Sequence, residues 1–212
     1  PLDDRFSERA NAEIAGRPQL TKGNRQLFFG GMGRLTEGSI VNYKNKSHAV
    51  TAEVIVPESG AEGVIVAVGG IIGGWSLYTK EGKPKYCYNF FGVHRYTVEG
   101  TSKIPAGTHQ VRMEFKYDGG GLAKGGTATL YVDGNKVGEG RVDRTEPMIF
   151  SADETLDLGN EFGSPVTYDY PKAGAKFSGE VLGVAIDIDK DAIDLDHLIT
   201  PEERLRVAMA IQ

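Results

Sequence analysis

From residue 39 onward, apolar and polar positions alternate with period two. The clearest run is "THQVRMEFKYD", where His109, Val111, Met113, Phe115 and Tyr117 alternate with Gln110, Arg112, Glu114 and Lys116. That pattern predicts a strand with one buried and one wet face, as in an antiparallel sheet. "SHAVTAEVIVP" reads as a strand ended by Pro57, and "AEGVIVAVGG" as a buried strand. "WSLYTK", the turn "EGKP" and "KYCYNFF" form a hairpin, and "HRYTVEG" follows. "TATLYVDGNKVGEGRV" is a second hairpin turning at Asp133-Gly134, a dipeptide that tolerates positive φ. "KFSGEVLGVAIDID" is a last strand, and Gln26 to Phe29 an early one broken off by glycines. About a dozen strands without βαβ alternation give an all-β, antiparallel two-sheet β-sandwich. It is expected over residues 39–189, with Val111, Met113, Phe115, Leu130 and Val132 in its core.

The flanks differ in style. Residues 1–38 lack clean alternation and are expected to form an irregular N-terminal arm outside the sandwich, with a short helical turn ended by Gly16 and Pro18. Residues 190–212 read as an acidic linker and a short C-terminal helix. Thr200-Pro201-Glu202-Glu203 is a capping box that opens it. Leu205, Ala208 and Met209 share one side, and a helix of about eleven residues is marginal alone in water. It is therefore expected to dock on the sandwich or to drive self-association. Pro1 suggests a processed or excised chain.

Composition narrows the function. The 212 residues carry a net charge of −5, which argues against nucleic acid as a partner. No run approaches the ~18 apolar residues of a membrane span. A single cysteine forbids an internal disulfide and leaves the compartment open between cytoplasm and periplasm.

Catalytic signatures are not found. Cys87 sits mid-strand between Tyr86 and Tyr88 with no neighbouring base, which reads as a structural thiol. "GGMGRLTEG" and "GGGLAKGG" depart from the nucleotide-binding glycine patterns and read as turns. "DIDKDAIDLD" fails the calcium-loop register, with Ala192 and Leu198 at the positions that need Gly and Glu. "SADETLD", with Asp153, Glu154 and Asp157, reads as a solvated acidic loop, without the paired carboxylates of a glycosidase strand. His48, His94, His109 and His197 show no metal-ligand spacing, and His109 reads as a core histidine. Asn45-Lys46-Ser47 is a formal glycosylation sequon. What remains is aromatic. Trp75 and Tyr78, with Tyr86, Tyr88 and Asn89 on the next strand, make a candidate platform for sugar rings; the alternative places half of these rings in the core.

Several long stretches also resemble the C-terminal domain of large bacterial arylsulfatases. They are "EGVIVAVGGIIGGWSLYTKEGKPKYCYNFFG", "YDGGGLAKGGTATLYVDGNKVGEGRV", "MIFSADETLDLG" and the opening 54 residues from "PLDDRFSERA" to "SHAVTAEV". The resemblance implies a concanavalin A-like jelly roll at the end of a longer sulfuric ester hydrolase. It also implies a non-catalytic role, packing on and supporting an upstream sulfatase catalytic domain. The formylglycine motif C-x-[PA]-x-R and the divalent metal, typically calcium, of that family would both lie upstream. Cys87 is followed by Tyr88-Asn89-Phe90-Phe91 and is not the formylglycine cysteine, so no catalytic or cofactor position carries over. The alternative is a lectin-like, carbohydrate-binding module that presents a sulfated glycan.

Overall fold

A computed structural model describes residues 21, 23–119, 121–147 and 149–188. Twelve strands follow in chain order: β1 (Arg25–Phe29), β2 (Leu35–Thr36), β3 (His48–Val56), β4 (Gly63–Gly70), β5 (Gly73–Lys80), β6 (Lys83–Phe90), β7 (His94–Glu99), β8 (Gly107–Tyr117), β9 (Gly126–Val132), β10 (Asn135–Val142), β11 (Thr155–Leu158) and β12 (Glu180–Ile188). They form two six-stranded antiparallel sheets, ordered β1-β12-β3-β8-β9-β10 and β2-β11-β4-β5-β6-β7. The expected jelly-roll sandwich is therefore the observed fold. The only described helices are single 3₁₀ turns at Glu37–Ser39 and Lys172–Gly174.

The hairpin chemistry read from the sequence holds. β5 and β6 meet at Glu81-Gly82 (φ 54° and 79°), and β9 and β10 at Asp133-Gly134 (φ 49° and 77°). Both central residues take positive φ, which matches the strand twist. Between the sheets, β8 contributes Val111, Met113 and Phe115, β9 contributes Leu130, and β5 and β6 contribute Trp75, Leu77, Tyr86 and Tyr88. Val132 is only half-buried at the margin of this core.

Three expectations need correction. First, the sandwich begins upstream of residue 39, because β1 pairs with β12 from Arg25↔Asp187 to Phe29↔Gly183, and β2 pairs with β11. Second, the polar face of β8 is not wet along its length. Arg112 and Glu114 are buried, paired with each other, and Arg112 lies 4.9 Å from the Tyr131 ring. Buried charges persist in this way when each finds a partner. Third, "SADETLD" is not a solvated loop throughout. Thr155–Leu158 is a strand, and Asp157 is buried because it accepts the main-chain N–H groups of Arg34 (2.6 Å) and Phe162 (3.0 Å). The expected arm before residue 21 and the helix after Thr200 lie outside the described residues.

Candidate binding surface at one end of the sandwich

The aromatic platform expected from alternation falls on two buried layers. Trp75, Tyr86 and Tyr88 point between the sheets, where Trp75 meets Tyr43 edge-on at 6.0 Å. Tyr78 and Asn89 point to the outer face of the second sheet, but both are buried. Residues 161–177 fold back over that face. Val166, Tyr170 and Ala175 pack on Val64, Ala67, Tyr78 and Cys87. Tyr78 Oη donates to Asp169 (2.5 Å), and Tyr170 Oη to Ser76 Oγ (2.8 Å). Asn89 Nδ2 donates to the carbonyls of Gly70 and Ile71, tying the β4–β5 turn to β6. None of the five offers a ring face or amide to a sugar.

The flap does expose one aromatic. Tyr168 is 74% exposed, and its ring lies 4.0 Å from the Arg95 guanidinium carbon. Arg95 is fixed in turn by the carbonyls of Val166 (2.9 Å) and Ile71 (3.4 Å). From Asp169 of the flap a chain of alternating charge runs along β6 and β7 toward the Glu81-Gly82 hairpin. Asp169 binds Lys85 (2.6 Å), Lys85 binds Glu99 (3.4 Å), and Glu99 binds Lys83 (3.0 Å). Thr97 is exposed between Arg95 and Glu99 on β7. The result is an exposed amphipathic ring backed by a fixed guanidinium.

The rest of this end is apolar. Ile71 and Ile72 in the β4–β5 turn, Phe91 and Val93 in the β6–β7 turn, and Leu122 and Ile149 in neighbouring loops are all exposed. With Phe162 and Tyr168 of the flap they are eight of the nine exposed large hydrophobic residues among those described, Ile55 being the ninth. Carboxylates hold these loops from inside. Glu37 accepts from Phe150 N–H (2.8 Å), Glu146 from Phe91 N–H (2.7 Å), Glu154 from Ser164 N–H (3.2 Å) and Glu161 from Val166 N–H (3.1 Å). Irregular backbone needs such acceptors because its N–H groups have no ladder partner. Gly73 leaves the space that Glu146 uses, since a Cβ there would stand 2.4 Å from its carboxylate oxygen.

The same loops enclose a cleft lined by Tyr43, Lys44, His48, Tyr88, Tyr117 and Glu146, among others. Lys44 pairs with Glu37 at 3.1 Å and lies against the Phe150 ring. Burial drives Lys44, His48 and Glu146, and Glu161 under the flap, toward their neutral forms. The Lys44 amine falls to about 8, despite Glu37 beside it, and His48 falls to about 4. Glu146 and Glu161 each rise to about 7.

The remaining candidates carry structural roles. Burial pushes the Cys87 thiol up, the opposite of an activated nucleophile. Asn45 of the sequon is engaged on both sides of its amide, donating to Pro147 O (3.2 Å) and accepting from Ala123 N–H (3.0 Å). His109 is half-buried at the start of β8 with Nδ1 2.7 Å from Asp133, not in the core. Among the described residues, no three His, Cys, Asp or Glu side chains converge as a metal-binding group, and no helix is long and apolar enough to cross a membrane.

With these surfaces located, the fold can be placed among known ones. The chain matches no protein-family model and no curated protein. It is similar in structure to the Ruminococcus gnavus IT-sialidase CBM40 bound to α2,3-sialyllactose, with TM-score 0.51 and 14% identity over 86% of this chain and 98% of that one. It is also similar to a K499G mutant of NanB sialidase from Streptococcus pneumoniae, with TM-score 0.56 and 12% identity over 83% of this chain and 27% of that one. The fold shared with these structures is the two-sheet antiparallel jelly-roll sandwich. The chain thus corresponds to about a quarter of the NanB sialidase and nearly all of the CBM40 structure. Neither is a sulfatase, so the arylsulfatase parentage rests on the sequence resemblance alone.

Sequence reasoning missed Tyr168, Arg95 and Glu146. Alternation sorts a strand's residues into two faces, but it cannot say that a distant loop covers one of them. The available signal was Phe162, Tyr168 and Tyr170 in a Gly- and Pro-bearing stretch without periodicity. Aromatics there have no strand face to fill.

Proposed function

We propose that this chain is a non-catalytic, lectin-like module that binds a glycan against Tyr168. The observation that carries the reading is the Tyr168 ring, 74% exposed and backed by Arg95 at 4.0 Å, next in the chain to Asp169, which is paired with Lys85. A sugar ring offers an apolar C–H face for stacking and hydroxyls for the surrounding polar groups, and such amphipathic rings suit it. The sandwich it shares with a carbohydrate-binding module solved with sialyllactose supports the same reading at the level of fold. Titration calorimetry with α2,3-sialyllactose, lactose and chondroitin sulfate oligosaccharides tests it. Saturable binding to at least one, weakened about tenfold or more in Tyr168→Ala, is the expected result. A flat titration with all three removes the reading.

A second reading, favoured by a different observation, is an accessory domain that supports a neighbouring catalytic domain, as the arylsulfatase resemblance implies. Its support is the apolar end formed by Ile71, Ile72, Phe91 and Val93, since clustered exposed hydrophobics mark interaction sites. The two readings use separate residues. Val93→Asp in a chain that includes the upstream domain would lower the melting temperature of the pair under the second reading. Glycan binding would be unchanged.

A further inference from the structure

The geometry points to a proton-operated clasp at the apolar end, in which Glu146 seats the β6–β7 turn and the 145–150 segment when protonated and releases them when ionised. This inference stands apart from glycan binding. Glu146 is 1% exposed. Its main-chain N–H donates to Tyr88 Oη (2.8 Å), and its Oε1 accepts from Phe91 N–H (2.7 Å). Its Oε2 is buried and finds no partner among the described residues. Glu146 therefore ties its own segment to β6 through its main chain and to the 91–93 turn through its side chain.

The charges that face it do not balance an ionised carboxylate. Lys44 and Glu37, from the segment before β3, are both largely buried and pair with each other at 3.1 Å. Tyr88 faces it from β6, and Tyr43, Lys46, His48 and Tyr117 line the shared cleft. With both carboxylates ionised, the single Lys44 amine serves two anions, and one negative charge stays uncompensated in a buried site. Burial accordingly holds the Glu146 carboxyl up at about 7, Glu37 adding to the effect and Phe91 N–H and Lys44 opposing it. Proton uptake places a donor on the oxygen that lacks a partner and leaves the Lys44–Glu37 pair neutral as a unit.

The sign follows from the raised value. The clasp is strongest below the ordinary carboxyl value of 4.5 and weakens as pH rises toward about 7, above which its strength is constant. His48, lowered to about 4, works in the opposite sense below 6.5, so the local readout must sit at the clasp itself. The moving parts carry Phe91, Val93 and Ile149, so the pH sets how firmly the apolar surface is held.

Amide hydrogen exchange on the whole chain at pH 5.5 and 7.5, corrected for intrinsic rates, tests the clasp. Protection of the Phe91 and Glu146 amides should fall roughly tenfold or more between the two pH values. Protection of Asp133 N–H, bonded to Gln110 O at the other end of the sandwich, should stay level. Glu146→Gln should abolish the difference. Should that variant fail to fold, carbon NMR of the wild-type Glu146 carboxyl serves instead: it should titrate near neutrality, with the Phe91 amide shift following it. Equal protection at the two pH values, the same fall in Glu146→Gln, or a Phe91 amide that does not titrate with Glu146 would overturn the proposal.

Discussion

The two ends of the sandwich solve the same problem by different means. At one end the strands turn in two-residue hairpins of positive φ, Glu81-Gly82 and Asp133-Gly134, where the acceptors are exposed: Glu62 takes the Glu81 N–H and Asp133 the Gln110 N–H. The loops there are sealed by small or buried apolar groups such as Ala61 and Ile104, and charged side chains face water. At the other end the loops are longer and irregular, and buried or half-buried carboxylates from Glu37, Glu146, Glu154, Asp157 and Glu161 satisfy their N–H groups. That end also exposes nearly all the large apolar side chains. A hairpin closed by backbone geometry is set by its two central residues. A loop shaped for contact needs internal acceptors, and burial raises two of them, Glu146 and Glu161. The first end is closed mainly by local turn geometry, and the second by contacts between distant segments.

The largest expected effect is at Asp157. Asp157→Ala removes a buried carboxylate that accepts the N–H groups of Arg34 and Phe162, and should cost on the order of 3 kcal/mol in denaturant unfolding. Asp133→Ala at the opposite end removes an exposed acceptor of the Gln110 N–H and leaves Ala at φ 49°, and should cost about 1–2 kcal/mol. Equal losses would erase the distinction between the ends.

Glu146→Gln sharpens it through pH. Because the folded-state value is raised to about 7 from 4.5, wild-type Glu146 contributes stability at low pH that is lost as pH rises through neutrality. The variant should therefore exceed wild type by roughly 2–3 kcal/mol at pH 7.5 and by little at pH 4.5. Parallel pH–stability curves for the two proteins would contradict this.

Gly73→Ala comes next. Its Cβ would press on the Glu146 carboxylate, costing roughly 1–3 kcal/mol. Combined with Glu146→Ala, which clears the space, the substitution should cost less than alone, a coupling readable in a double-mutant cycle. The smallest effects belong to the rim. Ile72→Ser and Val93→Ser, at 57% and 83% exposure, should change folding stability by less than about 0.5 kcal/mol.

The sequence made some of this legible. Residues 108–118 announced β8 through alternation, and the Asp-Gly and Glu-Gly turns announced their hairpins, because local chemistry alone dictates them. Cys87 opposite Tyr86 and Tyr88 was readable for the same reason, and the two tyrosines do enter the main core while the thiol faces the flap. The binding surface was not readable. Trp75 drew attention as the sole tryptophan and proved to be core, while Tyr168 sat in an aperiodic loop. Burial of Arg112 and Glu114 was hidden too, since a polar residue at an outward position looks the same whether or not something covers it. Long-range contact, not local pattern, decides those cases.

The central claim is that Tyr168, and not the Trp75 strand, meets a sugar. An NMR titration of the intact chain with α2,3-sialyllactose, lactose and chondroitin sulfate oligosaccharides, following the tyrosine and tryptophan ring protons and the Arg95 side chain, tests it most directly. The account predicts saturable shifts at Tyr168 and Arg95 with at least one glycan, none at the Trp75 indole, and their loss in Tyr168→Ala. Shifts centred on Trp75 and Tyr88, or no shift at Tyr168 with any of the three, would contradict it.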